Sequence, residues 1–249
     1  MPILTGAFIV GMAFLTATIS GVFGMAGGLL LKGALALVLP ISATFVVHGL
    51  LQLVANGWRA ILHRQHVNWR IVGVYALGAF TAGALIGLVA YEPTRATLYL
   101  LMGLVPGLVW LPQGWVKVDA SRPGQAYVCG LSVTGMNLTA GVAGPLLDVF
   151  FVRTALTRHQ IVATKAATQV FSHLMKIVVY GAPLFASGGK GVPPLWVFAL
   201  AIPLSMLGTA AGGIVLNRLS DVDFKRYLRL ILTVIGAVYL VQAVRLYTG

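Results

Sequence analysis

The chain has 249 residues, of which 59% are hydrophobic and only 9% charged, and its mean hydropathy is +0.93. That composition excludes an ordinary soluble domain. A net charge of +12 would suit nucleic acid, but the cations sit mostly at the ends of apolar runs, where they mark membrane topology rather than a solvated basic face. The single cysteine, Cys129, excludes an intramolecular disulfide and any cysteine-only metal cluster.

In chain order, uncharged runs cover Pro2–Leu31, Ile71–Tyr91, Ala96–Val116, Gly124–Leu147 and Pro193–Leu216, with weaker stretches over Gly33–Trp58, Gln160–Tyr180 and Tyr227–Val244. A hydrocarbon core needs about 20 apolar residues per helix, so these runs predict an all-α polytopic membrane protein. No soluble domain is left over. The first run has no cationic segment before it and no clear small-residue cleavage site, so it is expected to be retained rather than removed as a signal peptide.

That first run also holds "GVFGMAGGLLLKG" over residues 21–33. Thirty uncharged residues before Lys32 are too long for one helix and too short for two full ones. The glycines predict that the chain unwinds near Gly24–Gly28 and restarts at Gly27–Gly28. A restarted helix leaves its first N–H groups unpaired and carries a partial positive charge at that end, which makes it an anion site. An offset of 117 residues lays "GMAGGLLL" (24–31) on "GVAGPLLD" (141–148), with Gly144 and Pro145 at the matching second break. The competing explanation for the glycines is close helix packing, as expected for "GALIG" (83–87), which an offset of 125 lays on Gly208 and Gly212.

After each break comes a helix with one polar face. His48, Gln52, Asn56 and Arg59 recur at spacings of four, four and three, and the offset of 117 matches them to Lys165, Gln169, His173 and Lys176. Gln52 and Gln169 fall near the midplane, with His48 and Lys165 beside them. Arg59 and Lys176 fall nearer the helix ends and are expected to snorkel to the headgroups. Lys32 and Asp148 follow the breaks at similar distances, and an ion pair between them is expected, either structural or as a proton-linked gate. Asp148 is the only acid in the apolar segments and leads the candidates for proton coupling.

Cation density gives the orientation. "RAILHRQHVNWR" (59–70) and "NRLSDVDFKRYLR" (217–229) are rich in Arg and Lys, whereas "YEPTR" (91–95) and "YGAPLFASGGKGVPP" (180–194) are poor. Corresponding loops therefore face opposite sides, which requires two inverted repeats, residues 1–116 and 117–249, each with an odd number of crossings. Each repeat is expected to hold about four long helices plus a short membrane-embedded helix broken at glycine, eight to ten crossings in all. The loop "KVDASR" (117–122), together with Arg153, Arg158 and His159, falls on the cytoplasmic side, and both termini fall outside.

The duplicated segments "SGVFGMAGGLLLKGALALVLP" and "AGVAGPLLDVFFVRTALTRHQIVATKAATQ", in a chain of this length, resemble the TauE/SafE sulfite-exporter family, also called the toluene sulfonate uptake permeases. The resemblance spans the whole chain. It implies transport of sulfite, organosulfonates such as sulfoacetate, or related small anions across the bacterial inner membrane. Two positions depart from the repeat: Pro145 stands opposite Gly28, and Thr157 opposite Pro40.

The expected function is a secondary transporter, since there is no G-x-x-x-x-G-K-[ST] loop and no nucleotide-binding domain. Its anion is held by Gly27, Gly28, His48, Gln52, Asn56, Gly144, Pro145, Lys165, Gln169 and His173, with Lys32 and Asp148 in coupling or gating. An anion channel, or a carrier of another small organic anion, is the alternative. An intramembrane enzyme is not expected, because H-E-x-x-H and G-x-S-x-G are absent and the few acids form no pair. No cofactor or metal is called for. The expected partners are the anion, the bilayer, and protons or a counter-ion, with a homodimer left open.

Overall fold

The computed structural model describes residues 1–110, 118–151, 153–216, 218–219 and 221–248. Lys117, the boundary at 116/117 and Asn217 of the second cationic loop lie outside the described residues. Among the described residues there are ten α-helices and no strand: α1 (Ile3–Phe23), α2 (Met25–Val38), α3 (Ile41–Leu62), α4 (Trp69–Val89), α5 (Arg95–Leu104), α6 (Pro123–Thr139), α7 (Gly144–Phe151), α8 (Arg158–Ala186), α9 (Leu195–Leu216) and α10 (Asp221–Thr248). The helix α5 runs on into a 3-10 segment, Val105–Trp110. Helices α1, α3, α4 and α9, and Arg226–Thr248 of α10, are long and apolar enough to cross a bilayer. Their outer faces carry exposed Leu77, Leu88, Leu207, Ile214, Val234 and Val241, an apolar belt that suits lipid rather than water. The protein is an all-α polytopic membrane protein.

The helix breaks come where the glycines are. Gly24 (φ 68°) ends α1 and begins α2, and Gly141 (φ 80°) sits between α6 and α7. Both angles lie in the left-handed region, which glycine adopts without steric penalty. The first break is sharper than expected, since the helix restarts at Met25 rather than at Gly27–Gly28. The second leaves α7 with only 8 residues, about 12 Å of rise, too short to cross the hydrocarbon core. The departures at Pro40 and Thr157 prove equivalent in role. Pro40 is the N-cap of α3, and Thr157 is the N-cap of α8, where it forms a capping box with Gln160. A prolyl ring and a hydroxyl are two solutions to the same helix start.

Small residues set the helix pairings. Helix α1 packs along α9, where a Cβ on Gly21 would lie 2.7 Å from the Thr209 carbonyl and one on Gly208 2.6 Å from the Phe14 carbonyl. Helix α4 packs along α6 in the same way, with Gly78 against the Tyr127 carbonyl and Gly130 against the Tyr75 carbonyl. Such contacts bring backbones together where lipid offers no hydrophobic drive. Between these pairs α3 packs against α8, and α5 against α10. In the 83–87 stretch, Gly83 receives Met175 of α8.

Loop contacts separate two ends of the bundle. At one end Ser42 donates to Glu92, Arg95 donates to the Leu39 carbonyl at 3.2 Å, and Gly191 lies against Pro40. Trp196 packs on Gly6 there, and the Thr97 and Tyr247 hydroxyls are 3.1 Å apart, so both termini belong to this end. At the other end the Ala120 amide donates to the Phe150 carbonyl (2.9 Å), the Asn68 amide donates to Thr164 (2.9 Å), and the His66 and His159 rings stand 5.3 Å apart.

Candidate functional site

The polar faces of α3 and α8 meet in the middle of the bundle because a polar side chain is costly against lipid and these two helices pack on each other. Between them lies a cavity of about 110 Å³. It is lined by Gly24 and Gly28 of the first break, by Val142, Ala143 and Gly144 of the second, and by His48, Gln52, Asn56, Arg59, Asn137, Lys165, Gln169 and His173. The N-terminal ends of α2 and α7, from opposite halves of the chain, thus open on one space. Eight of the ten residues expected to hold an anion are brought together here.

The other two are placed elsewhere. A Cβ on Gly27 would strike the Thr16 carbonyl and Ser20 of α1, so this glycine serves the α1–α2 contact, the packing alternative weighed from the sequence. Gly28, one residue on and turned by about 100° around the helix, faces Gln52, and a Cβ on it would lie 3.3 Å from Gln52 Oε1. Pro145 is buried in α7 without lining the cavity.

The cations depart from expectation. Lys176 does not snorkel: it is fully buried, and its Nζ donates to Asn137 Oδ1 (2.6 Å), the Gly141 carbonyl (2.7 Å) and His48 Nδ1 (3.2 Å). Three acceptors around one nitrogen use all three protons of an ammonium. Arg59 Nη2 donates to the Ser20 carbonyl at 2.9 Å, at the end of α1. Both cations therefore sit at the C-terminal ends of the helices that stop at the glycine breaks, where the helix dipole favours positive charge. They turn inward because those helix ends lie inside the bundle and offer them acceptors.

The expected Lys32–Asp148 pair is not formed. Asp148 pairs with Lys165, and Lys32, fully buried, lies over the Phe45 ring with its Nζ 3.0 Å from the centroid and no hydrogen-bond partner. Lys32 lies over Phe45 of α3 and against Gly141, in the break before α7, while the long side chain of Lys165 on α8 reaches Asp148. His48 Nδ1 accepts from Lys176, so its Nε2 carries the proton that goes to the Gly28 carbonyl at 2.9 Å. That histidine ties α2 to α8 and, through Lys176, to the break before α7.

Three cavity-lining groups have no partner: Asn137 Nδ2, Gln169 Nε2 and His173 Nδ1. The Asn137 orientation is set by Lys176, which occupies its Oδ1, so its NH₂ is left free to donate. Buried polar atoms are rarely left unpaired, and three on one cavity point to a ligand rich in acceptors. Asn137 was missed in the sequence because the repeat comparison began at the glycines. The same offset of 117 lays Asn137 on Ser20, the polar residue one turn before each break, and extending it four residues upstream would have found it.

The family model described as sulfite exporter TauE/SafE matches residues 9–239. No curated protein and no solved structure matches the chain. With nearly its whole length inside that match, the chain belongs to the TauE/SafE sulfite exporter family.

Proposed function

We propose that the central cavity is the binding site of a secondary transporter for small sulfur-containing anions, sulfite and organosulfonates such as sulfoacetate, in the bacterial inner membrane. The observation that carries this is the convergence of two helix N-termini and three unpartnered polar groups on one cavity. Sulfite and sulfonate oxygens accept hydrogen bonds and bear the negative charge that helix N-termini favour. The volume of about 110 Å³ suits one small oxyanion or a few waters and excludes a large substrate.

The transporter is built as two inverted repeats, residues 1–116 and 117–249, with the site at their interface. The packing supports this. Exchanging the first five helices for the last five maps the α1–α9 contact onto the α6–α4 contact, and maps α3–α8 and α5–α10 onto themselves. The caps follow the same exchange, Arg59 on Ser20 and Lys176 on Asn137 and Gly141. In this arrangement the Asp148–Lys165 pair sits beside the cavity as a gate that an entering anion competes with for Lys165, while Lys32 braces the second break through its contact with Gly141.

Ligand-induced stabilisation of the purified full chain tests the site. Sulfite, sulfoacetate, taurine, sulfate and simple carboxylates would be compared in thermal unfolding. A sulfur anion at about a hundred times its Kd should add about 2.7 kcal/mol. Gln169→Leu should remove the effect while leaving the ligand-free melt close to the parent. No stabilisation by any sulfur anion, or full stabilisation in Gln169→Leu, would refute the site. Saturable counterflow in proteoliposomes separates a carrier from a channel.

A further inference from the structure

The cavity is surrounded by bases with too few acids to balance them. The charged and titratable groups on the helices around it are Lys32 of α2, His48 and Arg59 of α3, Asp148 of α7, and Lys165, His173 and Lys176 of α8, which also carries Arg158 and His159 in its first turn and Tyr180 toward its far end. Helix α6 carries no charged residue, and α4 contributes Tyr75, whose hydroxyl is bound to Ser172 at 2.6 Å. The one acid in this set, Asp148, is already paired with Lys165.

Most of the bases have their protons committed. Lys176 uses three donors on three acceptors, and both ring nitrogens of His48 are occupied. Neither changes protonation without breaking a bond that holds a helix break in place. Lys32 does not line the cavity. His173 differs from all of them: its ring lines the cavity, it is 4% exposed, and its Nδ1 has no partner. It stands 5.7 Å from the His48 ring, centroid to centroid, and one turn before Lys176 on α8.

We propose that His173 takes up a proton when the anion enters the cavity and releases it when the anion leaves, so that transport is coupled to protons. The proposal rests on the anion site above. An imidazolium beside Lys176 and Lys32, both of which lie over the Phe45 ring, in a membrane interior and without a counter-charge, is strongly disfavoured. An anion in the cavity supplies that counter-charge, and the protonated ring offers a hydrogen bond from the nitrogen that otherwise has no partner. By reciprocity, a ligand that binds the protonated form more tightly draws a proton from solvent as it binds. One proton enters with one anion, which also offsets the charge that would otherwise cross the membrane.

Calorimetric titration of the purified full chain with methanesulfonate, whose own charge does not change across the neutral range, tests this. Runs in buffers of different ionisation enthalpy count protons directly. The expected result is net uptake approaching one proton per anion on the alkaline side, with Kd rising up to tenfold per pH unit there. His173→Gln keeps a donor but cannot titrate, so it should bind more weakly, with no uptake and a Kd flat in pH. His173→Asn serves as a second variant, and each is checked for a parent-like melt. Binding without proton uptake in the parent at any pH would overturn the proposal. So would uptake that survives in His173→Gln and disappears in Asp148→Asn, which would move the coupling to the acid. Absence of binding by both methanesulfonate and sulfite at every pH would instead overturn the anion site itself.

Discussion

Lys176 shows how a buried cation becomes affordable. Its ammonium replaces lost water with three acceptors, two of them at the end of α6 and its break, where the helix leaves carbonyls without amide partners. Lys176→Met would keep much of the volume but orphan Asn137 Oδ1, the Gly141 carbonyl and His48 Nδ1. At roughly 1–3 kcal/mol for each buried polar group left unpaired, the expected loss is several kcal/mol, read as a large drop in thermal stability or loss of folded protein. Arg59→Met removes a single observed bond to a carbonyl that also accepts from the Gly24 amide at 2.8 Å. It should cost about 1–2 kcal/mol. A smaller loss at Lys176 than at Arg59 would contradict the capping roles assigned here.

At the scale of the helix, adjacent glycines of α2 do different work. Gly27 faces α1, where a methyl group meets a backbone carbonyl that cannot move without shifting the whole helix. Gly28 faces the flexible end of Gln52, 3.3 Å from the position of a Cβ. Gly27→Ala is therefore expected to lower the melting temperature of the ligand-free protein, by an amount equivalent to about 1–3 kcal/mol of overpacking. Gly28→Ala should melt near the parent but bind sulfite or sulfoacetate more weakly, because the methyl displaces Gln52 within the cavity. Parallel melts with and without anion distinguish the two outcomes. The reverse pattern, with stability lost at Gly28 and affinity lost at Gly27, would mean that α2 is rotated from the orientation described.

Across the whole molecule the loops sort by charge as well as by contact. The end that brings His66, Asn68, Ala120, Phe150 and His159 together includes Arg64, Arg122 and Arg153, and the end that holds both termini, Glu92 and Gly191 is poorer in cations. Under the proposed inverted arrangement, the positive-inside rule predicts a cytoplasmic position for the first end. Reporters fused after residues 66 and 221 should read cytoplasmic, and fusions near 93 and 188 external. A shared side for 66 and 188 would break the inverted arrangement, since α8 would then fail to carry the chain across.

The membrane class, the glycine breaks and the two polar faces were legible in the sequence because each is a local property. A bilayer demands long apolar helices, glycine alone enters the left-handed region cheaply, and a helix sorts its polar residues with a period of 3.6. The chain by itself thus determined that each half is broken within its glycine segment, and that His48, Gln52 and Asn56 share a face with one another, as do Lys165, Gln169 and His173; the structure fixed the breaks at Gly24 and Gly141. Which side chain meets which was decided only by the tertiary structure. The rotation of α2 about its axis separates Gly27 from Gly28, the Phe45 ring takes Lys32 and leaves Asp148 to Lys165, and the end of α6 inside the bundle draws Lys176 inward. Those choices depend on helices up to a hundred or more residues apart being pressed together, and spacing along one helix carries no record of the azimuth at which its neighbour arrives.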